Sequence, residues 1–282
     1  MANAGLDQTV ECTGPSGCNV TLDGSASSDP DGDPLSYEWK DAGGIVIGSS
    51  AAVTVTLPLG THTLTLTVND GKGGTASDAV LVVVQDTTPP TLTLSSNTRT
   101  AVLPTASATG ATVNLSGIAS ATDICDPAPV ISNNAPATFP VGTTIVTFRA
   151  TDASGNYSEK NLSVQVVYNF NGYFVPILNN GSSVFKSGRT VPVKFQLRAA
   201  DGTIVSNATA TLQVAMVSGG ITGTTDFTEA TGSGGANTGN LFRSDAQQYI
   251  YNFNTSGFAI GTWLLRTTLN DGTTHDVLIS IR

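Results

Sequence analysis

The stretch Thr61-His-Thr-Leu-Thr-Leu-Thr-Val68 decides the fold class. Successive side chains of a strand point to opposite faces, so its apolar residues would share one face and its threonines the other. The same alternation recurs at residues 53–57, 143–150, 162–167, 191–197 and 275–281. No segment longer than about ten residues keeps a period of 3.6. The sequence therefore predicts an all-β protein with almost no helix.

Turn sequences separate these strands about every 8–12 residues, a spacing typical of sandwich proteins. The clearest boundary is Asp86-Thr-Thr-Pro-Pro90, because its prolines favour an extended connection and cannot donate to a sheet. A second boundary is expected at Val167-Tyr168. Since sandwich modules run to about 100 residues, we predict three tandem immunoglobulin-like antiparallel β-sandwich domains, at 1–86, 87–167 and 168–282. The Gly-rich stretch 231–239 predicts a flexible loop in the third.

The charge of the chain is unevenly distributed. The 282 residues carry a formal net charge of −9, and residues 1–86 hold eleven of the 21 acidic residues with only two lysines. Such an acidic chain lacks the basic surface that nucleic acids require. No run of about eighteen apolar residues is present, so no membrane span is predicted. The N-terminus lacks the regions of a signal peptide, and we expect the native protein to extend further N-terminally.

The three cysteines are expected to differ in state. Cys12 and Cys18 flank a turn sequence, Thr-Gly-Pro-Ser-Gly, and we predict a disulfide between them. The alternative is a pair of reduced thiols. A disulfide fits an oxidising compartment, which favours an extracellular protein. Cys125 is then left over, and we expect it to be buried and inert.

Residues 1–86 resemble a PKD (polycystic-kidney-disease) domain. The resemblance rests on the segments 3–10, Leu22-Asp-Gly-Ser-Ala-Ser-Ser-Asp-Pro-Asp-Gly-Asp33, Leu35-Ser-Tyr-Glu-Trp39 and 60–70. His62 departs from the pattern, since the family often has Tyr there. The resemblance implies a β-sandwich of the immunoglobulin type.

Two further resemblances cover the rest of the chain. Residues 87–167 resemble a hyalin-repeat (HYR) domain in Pro89-Pro-Thr-Leu92, Ala121-Thr-Asp-Ile-Cys-Asp126 and Phe139-Pro-Val-Gly-Thr-Thr-Ile-Val-Thr-Phe148, although further cysteines of the family are missing. Residues 168–282 resemble the C-terminal PxKF module of bacterial secreted and surface proteins in Phe170-Asn-Gly172 and Lys186-Ser-Gly-Arg-Thr-Val-Pro-Val-Lys-Phe195.

Calcium is the expected cofactor, in a structural role. Ser28-Asp-Pro-Asp-Gly-Asp33 gathers three carboxylates, whose repulsion a hard cation would relieve. The PKD resemblance implies the ligands Asn3, Ser28, Asp29 and Asp31, with Asp33 or Asp70 nearby. A weaker candidate set is Asp86, Asp123 and Asp152, at the first boundary and in adjoining loops. The alternative in each case is an Asp residue that caps a turn.

No catalytic residues are predicted. His62 lies among core-facing positions, and His275 and Asp276 would point to opposite faces of a strand, so neither histidine predicts a dyad. Familiar catalytic motifs are missing from the sequence. An aromatic cluster at Tyr168, Phe170, Tyr173 and Phe174 predicts packing at the second boundary, or else a platform on which a sugar stacks.

The sequence as a whole predicts a non-catalytic extracellular segment, stiffened by Ca²⁺, that forms the C-terminal part of a larger secreted or surface protein. Its expected role is structural or adhesive, with other cell-surface proteins or polysaccharide as partners. Two alternatives stay open. One is an accessory carbohydrate-binding region of a secreted hydrolase. The other is a fibre subunit that self-associates through exposed strand edges.

Overall fold

The computed structural model describes residues 1–217, 227–233 and 238–282. These residues form strands, turns and extended connections without any helix, which confirms the all-β prediction. The described residues accordingly contain no helix that could cross a membrane. Residues 234–237 of the predicted flexible loop lie outside the described part of the chain.

Residues 1–86 form two sheets. The strands are β1 (Gln8–Glu11), β2 (Cys18–Asp23), β3 (Ser36–Lys40), β4 (Val46–Gly48), β5 (Ala52–Leu57), β6 (Gly60–Asn69) and β7 (Thr75–Gln85). One sheet has the order β1-β7-β6-β3-β4 and the other pairs β2 with β5. In β6 the side chains of Leu64, Leu66 and Val68 are buried while the threonines between them are partly exposed, as the alternation predicts. Trp39 of β3 is fully buried, and its Nε1 donates to the Ser50 carbonyl at 3.2 Å.

The middle of the chain forms three smaller sheets. Its strands are β8 (Thr91–Leu94), β9 (Thr98–Val102), β10 (Gly110–Ala111), β11 (Ala119–Thr122), β12 (Val130–Asn133), β13 (Phe139–Pro140), β14 (Gly142–Thr151) and β15 (Tyr157–Val167). The sheet orders are β12-β14-β15-β9, β11-β8 and β10-β13. The C-terminal half of β15 buries Leu162, Val164 and Val166, with partly exposed residues between them.

The C-terminal part forms two larger sheets with an aromatic core. Its described strands are β16 (Asn169–Phe174), β17 (Ser183–Phe185), β18 (Thr190–Arg198), β19 (Ile204–Val205), β20 (Ala210–Met216), β21 (Thr228–Glu229), β22 (Arg243–Ser244), β23 (Tyr249–Asn254), β24 (Gly261–Leu269) and β25 (Thr274–Ile281). The orders are β16-β18-β23-β22, with β19 beside β18, and β17-β25-β24-β20-β21. The rings of Phe195 and Tyr249 lie on neighbouring strands of one sheet, β18 and β23, and stack with their centroids 5.0 Å apart.

Among the described strands, each part of the chain has one parallel pair. These pairs join β1 to β7, β9 to β15 and β17 to β25, so an early strand lies along the last strand of the same part. The other pairs whose register the structure describes are antiparallel, as predicted. Each described sheet also stays within one of the three predicted segments.

The chain divides into two compact units. The first comprises Met1–Ser95, Gly117–Asn133 and Phe148–Lys160, and the second comprises Ser96–Ser116, Asn134–Thr147 and Asn161–Arg282. The first unit therefore holds residues 1–86 together with the boundary sequence and several loops of the middle segment. All residues of the candidate site described below belong to it.

Candidate functional site

A disulfide between Cys12 and Cys125 joins two parts of the first unit that are 113 residues apart in the chain. Cys12 follows β1, and its backbone N–H donates to the carbonyl of Gln85 at 2.8 Å, at the end of β7. Cys125 lies in the loop after β11, and both cysteines are buried. The disulfide therefore ties the end of the β1–β7 pair to a loop of the middle segment.

The predicted disulfide between Cys12 and Cys18 is wrong, and so is the expectation that Cys125 is left over. Cys18 is a buried free thiol. It begins β2, whose alternation turns Cys18, Val20 and Leu22 inwards. The turn before it is tight because Gly17 has φ +103°, and a Cβ at Gly17 would lie 1.8 Å from the Leu57 carbonyl oxygen. A short separation in sequence lowers the entropic cost of closing a loop, but the directions of the side chains decide which cysteines pair.

The boundary sequence 86–90 is held from both sides. The carboxylate of Glu11 accepts the backbone N–H of Thr87 at 2.6 Å and the hydroxyl of Thr87 at 3.1 Å. On the other side, Asn156 Nδ2 donates to the Asp86 carbonyl at 2.9 Å, and Ser158 Oγ donates to the Pro90 carbonyl. Hydrogen bonding by the Thr87 N–H lowers the pKa of Glu11. Five residues that could form a loose tether are thus fixed by side chains from both flanking segments.

Two acidic side chains meet beside the disulfide. Carboxylate oxygens of Asp86 and Asp123 and the sulfur of Cys125 all lie within 4.8 Å of one another. Asp123 Oδ1 accepts the backbone N–H of Cys125 at 2.8 Å and that of Asp126 at 2.9 Å. Asp86 is only 8% exposed, and its Oδ1 accepts the Thr88 N–H at 3.2 Å. Its Oδ2 is buried and has no hydrogen-bond partner.

The third member of the weaker predicted set lies apart from this pair. Asp152 is buried, but its two oxygens accept the backbone N–H and the side-chain Nδ2 of Asn156, at 2.8 and 2.9 Å. It therefore caps the turn between β14 and β15, as the alternative interpretation holds. Asn156 connects it to the site, since the same Nδ2 donates to the Asp86 carbonyl. Asn156 is not among the predicted site residues, although a Gly-Asn pair after Asp152 is a signal for such a turn.

Of the residues predicted for calcium in the first turn, Asn3 and Asp29 accept backbone N–H groups with their side chains. The Asn3 N–H donates to Ser27 Oγ at 3.0 Å, which places the N-terminal segment against the residue preceding Ser28. Asp29 Oδ1 accepts the N–H groups of Asp31 and Asp33 at 2.9 and 3.3 Å, as in an Asx turn.

Asp33 and Asp70 lie near this turn with partners of their own. Asp33 pairs with Lys72 at 2.7 Å, and Asp70 Oδ1 accepts the N–H groups of Lys72 and Gly74. Among the residues that the structure describes, Asp86 Oδ2 is the buried side-chain oxygen without a partner, and no such atom lies at the first turn. The first-turn calcium site stays a prediction that this geometry does not itself support.

The aromatic cluster of the C-terminal part is mostly internal. Tyr168 and Tyr173 are buried, and Phe170 meets Tyr173 edge-on, with ring planes at 76°. Phe170 also stacks on His275 at 3.8 Å. Burial raises the pKa of the Tyr173 hydroxyl, which donates to the His275 carbonyl. Phe174 is 38% exposed, while the other three rings pack within the C-terminal part. A single exposed ring does not form a coplanar platform for a sugar.

The two residues weighed as a dyad are separated. His275 Nε2 lies 3.1 Å from Thr273 Oγ1, whereas Asp276 forms a bidentate pair with Arg266 across β24 and β25. Burial lowers the pKa of His275. His62, the other histidine, is partly buried, with its Nε2 2.9 Å from the Pro58 carbonyl. Each histidine thus has a structural contact.

Comparison with known families identifies the first two segments. Residues 4–84 match the family described as K319L-like, PKD domain, and residues 85–166 match the HYR domain. The chain therefore contains a PKD domain followed by an HYR domain. Neither match extends to the third segment.

Individual relatives cover parts of the chain. Chitinase A of Pseudoalteromonas piscicida is 41% identical over 85 residues, which are 27% of this chain and 10% of that protein. The matched region thus spans about a tenth of this curated relative. The solved PKD domain from KIAA 1837 protein is 34% identical, and the match covers 31% of this chain and 89% of that one at a TM-score of 0.26. Drosophila N-cadherin EC1-3 is 12% identical, with 98% of each chain covered and a TM-score of 0.34.

The disulfide predicts how single cysteine variants respond to reduction. A disulfide that closes a loop of 113 residues stabilises the folded state by about 4–5 kcal/mol through the entropy of the unfolded chain. Reduction should therefore lower the thermal midpoint of the first unit, measured by differential scanning calorimetry with and without dithiothreitol. Cys18→Ala should keep this sensitivity. The double variant Cys12→Ala Cys125→Ala should lose it, whereas its loss in Cys18→Ala would contradict the observed pairing.

Proposed function

We propose that this chain is a non-catalytic, extracellular structural segment whose first two domains are held in a fixed arrangement, so that it spaces or presents what is attached to its ends. The observation that carries the proposal is the disulfide between Cys12, in the PKD domain, and Cys125, in the HYR domain. A disulfide persists in oxidising, extracellular compartments. A covalent bond between two domains suppresses the relative motion that is otherwise the default for linked domains.

The boundary between the two domains supports a mechanical role. The Thr87 N–H and the carbonyls of Asp86 and Pro90 each have a side-chain partner outside the boundary sequence. Such satisfaction of backbone groups is expected in an ordered connection and not in a flexible tether. We also propose that residues 168–282 are a PxKF module, on the residues quoted for that resemblance. Natural partners of the segment would be other surface proteins or polysaccharide.

Hydrogen exchange at the boundary tests the fixed arrangement. A hydrogen bond to a charged acceptor contributes about 1.5–3 kcal/mol, so Glu11→Ala should speed exchange of the Thr87 amide about ten- to a hundredfold. The measurement is amide exchange by mass spectrometry on peptides that cover residues 85–91 of the full chain. Glu38→Ala is the control, because Glu38 pairs with Lys40 and their side chains are 43% and 40% exposed. Fast exchange already in the wild-type protein would contradict a fixed boundary.

Calcium at the first turn belongs to the proposal on the strength of the sequence. Asn3, Ser28, Asp29 and Asp31 would supply oxygen ligands, which suit Ca²⁺. Calorimetric titration of the EDTA-treated full chain with CaCl₂ should then show a binding component that is lost in Asp29→Asn Asp31→Asn. The control is Asp41→Asn, which changes an acid of another turn in the same domain, where Asp41 Oδ1 accepts the Ile45 N–H. Identical isotherms for the double variant and the wild type would refute a site at the first turn.

A second candidate is an accessory, polysaccharide-binding region of a secreted hydrolase. The observation that favours it is the 41% identity over 85 residues to Chitinase A of Pseudoalteromonas piscicida. This candidate predicts retention of the full chain on chitin beads, measured as depletion from solution against a cross-linked agarose control. It also predicts that soluble chitin fragments release the bound chain. Equal recovery from chitin and agarose would leave the structural role as the better proposal.

A further inference from the structure

Asp86 is a buried carboxylate that the protein satisfies on one oxygen only. One of its oxygens has no hydrogen-bond partner, and the carboxylate of Asp123 lies within 4.8 Å. A buried carboxylate is tolerated when it is hydrogen-bonded, paired with a cation or bound to a metal ion. In the described residues the ion pairs of Lys and Arg are with Glu38, Asp33, Glu159 and Asp276, so neither acid of this pair has a cationic partner.

Asp271 in the second unit shows how this chain otherwise buries an aspartate. It is completely buried, and its Oδ2 accepts the N–H of Tyr168 at 2.8 Å. Its Oδ1 accepts both the N–H and the hydroxyl of Thr273, at 2.8 and 2.7 Å. Both oxygens of Asp271 are satisfied by the protein. Asp86 has a single donor, Thr88, on one oxygen, and its other oxygen belongs to a pair of like charges.

We propose that Asp86 and Asp123 bind a calcium ion, and that the disulfide between Cys12 and Cys125 assembles this site. A divalent cation would neutralise both carboxylates and give Asp86 Oδ2 its missing partner. The donors are oxygens, which favour hard cations, and the nearby sulfur of Cys125 is bonded to Cys12 and is not a thiolate. Ca²⁺ fits loops better than Mg²⁺, because it accepts irregular coordination by six to eight oxygens and waters.

The disulfide fixes both ligands through short connections. Asp123 accepts the N–H of Cys125, so the position of its carboxylate depends on that loop. Asp86 follows Gln85, whose carbonyl accepts the N–H of Cys12. Asp123 is therefore hydrogen-bonded to Cys125, and Asp86 is the chain neighbour of a residue that is hydrogen-bonded to Cys12. Opening the bridge frees the Cys125 loop to carry Asp123 away from Asp86, which would weaken binding.

The proposal adds a ligand to the fixed boundary of the proposed function and rests on that boundary being formed. With two protein carboxylates, the expected dissociation constant is on the order of 10⁻⁴–10⁻³ M, the range of extracellular calcium modules. Calorimetric titration of the oxidised, EDTA-treated full chain with CaCl₂ measures it. Asp86→Asn and Asp123→Asn should each weaken binding at this site at least about tenfold, and Cys12→Ala Cys125→Ala should do the same. Asp41→Asn, an acid of a turn that contacts neither ligand, is the control and should change the affinity less than about threefold.

Thermal unfolding of Asp86→Asn provides a second readout. The variant removes one of two like charges, so in EDTA it should unfold at a higher temperature than the wild type. In 10 mM Ca²⁺, about ten to a hundred times the expected dissociation constant, the variant should gain less stability than the wild type. A wild type that is insensitive to Ca²⁺, or an Asp86→Asn variant that keeps the full calcium response, would overturn the proposal.

Two variants and the exchange rate of the Thr87 amide separate this site from the other proposals. If the calcium response is lost in Asp29→Asn Asp31→Asn but kept in Asp86→Asn, calcium binds at the first turn and the site proposed here is wrong. If Thr87 exchanges slowly in the wild type but calcium does not bind, the fixed boundary stands without this ligand. If Thr87 exchanges fast and calcium does not bind, both proposals fail together.

Discussion

The arrangement of the first unit depends on the covalent bond between Cys12 and Cys125. Two small sandwiches in tandem usually meet through limited polar interfaces and move relative to each other. Here a bond closes a loop of more than a hundred residues at the place where the PKD domain ends. The boundary sequence crosses that place, and its backbone groups are bound by side chains of both domains. Each of these contacts lies within the first unit and supports the fixed arrangement that we propose for the two domains.

The buried aspartates Asp271 and Asp86 differ in how far the protein satisfies their carboxylate oxygens. In the second unit, Asp271 receives donors on both oxygens, and its carbonyl accepts Gln165 Nε2 at 3.0 Å, so it ties residues 165–168 to the turn before β25. In the first unit, Asp86 directly follows β7, the last strand of its domain, and one of its oxygens lacks a partner. Protein donors thus satisfy both oxygens of Asp271, whereas Asp86 keeps one buried oxygen without a donor.

Alternation made the strands predictable, because a half-buried strand must place apolar residues at every second position. Leu64, Leu66 and Val68 are buried as expected. Alternation does not predict which strands pair in parallel, because the pattern along a strand is the same for a parallel and an antiparallel neighbour. Residues 8–11 show this, because they carry little apolar character and yet lie parallel to β7 over four residues.

The candidate site was predictable only in part, because it depends on contacts between distant residues. Asp86 and Asp123 were chosen for their places at a boundary and in a loop, and they do meet. Asp152 was chosen on the same grounds but caps its own turn. The pairing of Cys12 was predicted from the nearest cysteine, although β2 turns Cys18 into the core. No local pattern marks a partner 113 residues away, since the pairing depends on distances and side-chain directions that only the folded structure shows.

The most direct test of this account is a peptide map of the unreduced protein. Free thiols are alkylated in denaturant without reductant, the chain is digested, and the linked peptides are identified by mass spectrometry. The account predicts one cross-linked pair that contains Cys12 and Cys125, with alkylation at Cys18 alone. A cross-link between Cys12 and Cys18, with alkylated Cys125, would contradict it and would leave the two domains without a covalent connection.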